Sequence, residues 1–197
     1  MKYLFKRLFS ILLLGFLLYS CIYHRMTHMS CEELKWVTNR YEGEVMYFKS
    51  QHGIIDTVTI VEIAIFNSLD PINWGYINTS NTEYIATAEI RYVINHNMGG
   101  SLYLEKQNND EPIYLASIIN RGWPEYIPLS TKSLRVNGVN MNDVMLFYNN
   151  DSTYTPQNAP DSFKSCAWSK KHGLVQYTFQ DGTVFSRTDI AAIDPHK

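Results

Sequence analysis

Cysteine is scarce in this chain: three residues in 197, at positions 21, 31 and 166, with no Cys-x-x-Cys pair among them. That excludes a domain stapled by several disulfides and a cysteine-based zinc or redox motif. A Gly-x-Ser-x-Gly elbow, a His-Glu-x-x-His helix motif, a glycine-rich phosphate loop and a dinucleotide fingerprint are absent too. No catalytic residue can be named from a motif, and neither a cofactor nor a metal is expected. His52, His96 and His172 stand far apart beside turn residues, without the spacing of metal ligands. Glu42 and Glu44 flank a glycine, and Asp110 and Glu111 lie in a polar turn, as solvated loop carboxylates do. There is no internal repeat and no low-complexity tract.

Basic charge is short as well. Lys2, Lys6 and Arg7 account for three of the seventeen Lys and Arg, which leaves fourteen beyond residue 20 against nineteen Asp and Glu. A polyanion-binding surface needs the opposite balance, so nucleic acid is not an expected partner. The one apolar run, Leu8 to about Tyr23, falls short of the roughly 20 residues that span a bilayer. It follows a basic cluster and ends in small residues, the order of a secretion signal rather than of a membrane-spanning or buried core helix.

The end of that run, Leu18-Tyr19-Ser20-Cys21, resembles the lipobox of bacterial lipoproteins, with a leucine three before the cysteine and a small residue just before it. The bulky Tyr19 departs from the usual pattern. The resemblance implies cleavage before Cys21 and a diacylglyceryl group on its thiol, so that the protein's partner is a membrane, reached through that lipid. Ile22, in place of an aspartate, resembles an outer-membrane assignment, and no acidic run follows of the kind that resembles a surface-export signal. The expectation is therefore a lipid-anchored protein of the cell envelope, on the outer membrane and facing the periplasm. It divides into a signal peptide over residues 1–20, a lipidated tether over 21–29 and a single β-rich domain over 30–197.

Removing Cys21 from the count leaves Cys31 and Cys166. Outside the cytoplasm an even pair invites a disulfide, and two buried unpaired thiols are the alternative.

The domain opens with Ser30-Cys31-Glu32-Glu33, whose Ser-x-x-Glu spacing satisfies the free amides that start a helix. Leu34, Val37 and Tyr41 continue at helical spacing, which predicts a short helix from Cys31 to about Tyr41. From Glu44 the period becomes two. Tyr84, Ala86, Ala88, Ile90, Tyr92 and Ile94 share one face of a predicted strand, and Asn97-Met98-Gly99-Gly100 reads as the turn to a second strand carrying Leu102 and Leu104. Between Thr57 and Phe66 the apolar residues change phase, which either a bulge or burial on both faces would produce. Strands are also expected at Val45 to Ser50, Ile113 to Ile119 and Val144 to Tyr148, and a surface loop at Asn149 to Asp161. Asp181-Gly182 predicts a two-residue hairpin turn with Phe179 opposite Val184, and with Val175, Tyr177 and Phe179 facing the core.

Lys171-His172-Gly173-Leu174-Val175-Gln176-Tyr177 followed by Asp181-Gly182 is similar to the closing hairpin of small lipoproteins of Bacteroidetes, some of which resemble the curved half-barrels of the lipoprotein carriers LolA and LolB. That resemblance and the period-two pattern together predict a mainly β fold, a curved antiparallel sheet or half-barrel of seven or eight strands with a short N-terminal helix. Trp74 and Trp123 lie in Pro-flanked segments, where aromatics either stack on sugars and apolar ligands or cap the open end of a sheet. Ala86 and Ala88 either leave a groove or seat the helix. The expected function is non-catalytic binding of an apolar ligand, a glycan or an envelope protein, with Trp74 and Trp123 as the candidate contacts. The alternatives are a structural subunit of an envelope assembly and a hydrolase whose residues converge only in the fold.

Overall fold

Alternating apolar and polar residues dominate the chain beyond its helix, and they build one sheet. The computed structural model describes residues 25–69, 83–95, 98–119, 126–148 and 163–190. In order, its elements are β1 (Arg25–Met26), α1 (Cys31–Thr38), β2 (Val45–Ser50), β3 (Ile55–Leu69), β4 (Glu83–Ile94), β5 (Met98–Lys106), β6 (Tyr114–Ile119), β7 (Ile127–Pro128), β8 (Lys132–Val136), β9 (Val139–Tyr148), β10 (Phe163–Ser169), β11 (Gly173–Phe179) and β12 (Val184–Arg187). The sheet runs β7-β6-β5-β4-β3-β2-β12-β11-β10-β9-β8, antiparallel throughout, with β1 added parallel to β4. It curls into a half-barrel with the short helix near its N-terminus, as the sequence predicts.

The two margins of the sheet, β7 and β8, are consecutive in the chain. Between them the Leu129 N–H donates to the Ile113 carbonyl at 3.2 Å, and the Ser130 N–H points to the Met145 sulfur at 3.2 Å. The connecting segment therefore touches both margins and helps to close the curl.

The helix begins as expected. Ser30 caps the Glu33 N–H, the Glu33 carboxylate accepts from the Ser30 N–H, and the same carboxylate holds Lys106 of β5 at 3.0 Å. One side chain thus both starts the helix and ties it to the sheet. The helix ends at Thr38, and its buried residues are Trp36 and Val37, while Tyr41 lies outside it and is exposed. Trp36 and Val37 join the core cluster that contains Ala88, and the helix packs on β4.

In β3 the phase slip is a bulge, with the register shifting between Ile60 and Glu62. Val58 and Ile60 before it, and Ile63 after it, serve the same core, because one extra residue restores the inward phase. Val61 is that extra residue and is half exposed.

Two turns differ from expectation. β4 and β5 pair as far as Ile94 with Met98, which puts Gly99 and Gly100 inside β5 rather than in the turn. At the other hairpin, Thr178 rather than Phe179 stands opposite Val184, and the Phe179 N–H donates to the Thr183 carbonyl at 2.9 Å. The loop is Gln180-Asp181-Gly182, with positive φ at Gly182 alone, the three-residue geometry that ends in a left-handed glycine. Tyr177 and Phe179 do serve the core, but Val175 belongs to a second cluster with Val136, Met141, Val144, Ala167 and Ile190 on the other side of the sheet. The Asn149 to Asp161 loop lies outside the described residues.

Candidate functional site

A half-barrel offers two surfaces, and here side chains of the described residues pack against one another across its inside. Side chains from opposite walls meet across it: the Tyr92 ring of β4 lies 5.9 Å from the Trp168 ring of β10, and the Cys166 thiol of β10 donates to the Ser117 hydroxyl of β6 at 3.4 Å. Phe48, Phe163, Tyr177, Phe179 and Phe185 form a ring-on-ring cluster in the core, with Tyr177 and Phe185 stacked at 5.0 Å. Burial of this kind supplies the fold's main stabilisation, at roughly 1.5–3 kcal/mol for each large apolar side chain. It leaves no open lumen among these residues.

Two clusters of buried polar groups hold structure together. Asp56, 5% exposed, accepts from the Tyr177 hydroxyl at 2.5 Å and from the Asn95 amide at 2.6 Å. Burial first, and then the Asp56 carboxylate, push the Tyr177 hydroxyl far above its ordinary pKa, so it stays a donor. A second polar cluster joins the stretch after α1 to the turn between β10 and β11. Arg40 donates to Glu44 at 2.7 Å and to the carbonyls of Lys171 and His172, while Arg187 reaches Asp189 and the same His172 carbonyl. Gly173, at φ +76°, passes so close that a Cβ there would lie 2.9 Å from Arg40 Cδ. Burial and then the neighbouring cations Lys171 and Arg187 lower the His172 imidazole below its usual pKa.

The convex face carries a groove open to a partner. Lys49, Ser50 and Gln51 at the end of β2, with Val184, Ser186 and Thr188 on and after β12, line an open groove of about 700 Å³, and Asn137 bounds it. Asn137 and Gly138 form the two-residue turn between β8 and β9, both at positive φ, and the Asn137 amide donates to the carbonyls of Arg187 and Ile190 at 2.7 and 2.9 Å. Those two bonds bring the hairpin turn against the end of β12. Gln51 is held too, donating to the Gly182 carbonyl and accepting the Val184 N–H at 2.8 Å. Lys49 is the one cation among the described residues that line the groove, and in the same row of β2 Val45 and Tyr47 are about half exposed. The surface is thus a rigid polar groove edged by apolar side chains.

Of the residues singled out in the sequence, Cys21, Trp74 and Trp123 lie outside the described residues. Cys31 and Cys166 are both free, the first exposed at the start of α1 and the second buried in the core, so the pairing considered for them is not present. The described residues contain no group of three His, Cys, Asp or Glu able to hold a metal ion. No described helix is long and apolar enough to cross a membrane. The groove escaped the sequence reading because its residues come from three separated stretches. Only the Asn137-Gly138 dipeptide, a strong hairpin pattern between Val136 and Val139, marks any part of it. The chain matches no family model, no curated protein sequence and no solved structure.

Proposed function

We propose that this chain is a lipid-anchored protein of the cell envelope, held on the outer membrane by Cys21 and facing the periplasm, that works without catalysis by binding an envelope protein on its convex face. The observation that carries the choice of partner is the filled interior. With Tyr92 against Trp168 and Cys166 against Ser117, the curl offers an apolar ligand no lumen between those walls, and recognition falls to the outside. There, Val45 and Tyr47 supply apolar contact area beside the polar groove of Lys49, Gln51 and Ser186, a mixture of apolar and polar contacts that suits a protein partner.

The test uses the full chain in cells. A photo-crosslinking residue at Tyr47 is expected to give one discrete adduct that Lys49→Glu weakens, and a crosslinker at the buried Leu104 is expected to give none. Loss of membrane association and of lipid labelling in Cys21→Ala supports the anchor, and unchanged association overturns it. An absence of adducts around Tyr47 overturns the protein-binding reading.

A second reading, a structural subunit of an envelope assembly, is favoured by β3. Its ladder with β2 ends at Thr59, so from Val61 to Leu69 one edge of the strand has no strand partner among the described residues. An open edge of that length can accept a strand from another chain.

A further inference from the structure

We infer that the convex face takes an extended acidic segment of its protein partner, with a carboxylate held by Lys49 and Ser186 and apolar side chains two and four residues away laid over Tyr47 and Val45. The inference rests on the protein-binding reading above and adds the chemistry of the partner's contact.

Cross-strand register brings the groups together. Lys49 of β2 stands opposite Ser186 of β12 on one side and Ile55 of β3 on the other, while Tyr47 stands opposite Thr57 and Val45 opposite Thr59. Residues opposite one another in a ladder share a face, so these side chains form three rows on the convex side. The alternate residues of β2, Met46, Phe48 and Ser50, are buried, whereas Val45, Tyr47 and Ile55 are 45%, 55% and 63% exposed. Thr188 donates its N–H and its hydroxyl to the Tyr47 carbonyl, which fixes the strand beneath the ring.

Charge selects the acid. The carboxylates that flank these rows in the chain or the sheet already have partners: Glu44 has Arg40, Asp189 has Arg187, Glu62 has Arg91, and Asp181 has the Thr183 N–H and hydroxyl. Lys49 is exposed and pairs with no carboxylate among the described residues. The groove's amides are engaged as well, Gln51 with Gly182 and Val184, and Asn137 with Arg187 and Ile190. Ser186 accepts from Gln176 at 3.0 Å and keeps its own proton to give. An ammonium and a hydroxyl side by side are both donors, and a carboxylate accepts from both while matching the charge. A second copy presenting the same three rows brings no carboxylate to Lys49, because none occurs in them.

Spacing selects the partner's conformation. Successive rows lie about 7 Å apart along β2, two residues at roughly 3.3 Å each. A second extended chain repeats on one face at the same interval, so its alternate residues meet Lys49, Tyr47 and Val45 in turn. A helix repeats its face every three to four residues, about 5–6 Å, and is out of step by the third row.

The experiment places a photo-crosslinking residue at Ile55 of the full chain in cells, which leaves Tyr47 and Lys49 intact, and sequences the joined peptide by mass spectrometry. The partner's peptide is expected to alternate apolar and polar residues and to carry an Asp or Glu within four positions of the joined residue. Lys49→Glu is expected to lower the adduct about tenfold or more, and replacing that one acidic residue of the partner by Lys is expected to restore it. Tyr47→Ala should lower it in both charge arrangements. A joined peptide without a nearby carboxylate, an adduct indifferent to Lys49→Glu, or a charge swap that restores nothing overturns the acidic segment and leaves the protein partner standing. A joined peptide with apolar residues at helical spacing overturns the extended conformation. A peptide from this same chain puts a second copy on the face and overturns the inference. A polydisperse, carbohydrate-bearing adduct, or no adduct at either Ile55 or Tyr47, overturns the protein-binding reading together with it.

Discussion

The ring of Tyr92 lies against the backbone of Gly100 on the neighbouring strand, so closely that a Cβ at position 100 would fall 2.4 Å from Tyr92 Cε2. Tyr92 cannot yield easily, because Trp168 packs on it from the opposite wall. Gly100 therefore serves packing, not turn formation. Gly100→Ala is expected to destabilise the protein by about 1–3 kcal/mol, as overpacked cores do. Urea denaturation checks this, and in a Tyr92→Leu background the same substitution should cost much less. Equal costs in both backgrounds would refute the contact.

Tyr177 and Asp56 form a buried bond whose loss leaves a carboxylate oxygen without a partner. Tyr177→Phe is expected to cost about 2 kcal/mol, the usual order for stranding a buried acceptor of this kind. In a double-mutant cycle with Asp56→Leu, the second loss should be much smaller than the first. Additive effects would mean that the two side chains act independently.

The two thiols make a counting prediction. Cys31 is exposed and should react with a thiol reagent in the native protein. Cys166 is buried, its thiol pushed up to about 11 by burial, and should react only on unfolding. Prior reduction should add nothing to the count in denaturant. An added thiol after reduction would show a disulfide.

The pH dependence follows from His172. Its imidazole is depressed in the folded state, so the unfolded chain takes up the proton first as pH falls. The stability it contributes is complete above the unfolded pKa of about 6.5 and is lost progressively below it. Denaturation midpoints between pH 7.5 and 5.5, values chosen to straddle about 6.5, should fall more for the wild type than for His172→Gln. An equal fall in the two proteins would remove His172 from the explanation.

Much of this architecture can be read from spacing. The alternation of β4, the capping box at Ser30 and Glu33 and the bulge at Val61 each follow from a pattern carried within a few residues. Other features depend on what a neighbouring strand covers, which no local pattern records. Val175 alternates like a core residue and is buried, yet against Val136, Met141 and Ile190, because the register shift that leaves it unpaired between Leu174 and Gln176 turns it to the other side of the sheet. Gly100 looks like turn chemistry until Tyr92 is placed upon it. Asp181-Gly182 suggests a two-residue turn, whereas the positive-φ pair belongs to Asn137 and Gly138. The convex groove unites residues about ninety and fifty positions apart, and pairing, not periodicity, brings them together.

The strand order has a consequence for how the chain acquires its fold. From β2 to β7 and from β8 to β12 every strand pairs with its neighbour in sequence, so either half can assemble by successive hairpins. Apart from the short β1–β4 pairing, the ladder between remote strands among the described residues joins Phe48 to Arg187 and Ser50 to Phe185. On a chain synthesised or translocated from its N-terminus, β2 must wait with a bare edge until almost the last described residues arrive. During that interval Phe48 and Met46 lack the cover that β12 and its neighbours supply, and this is the stage at which the nascent protein is most exposed to aggregation.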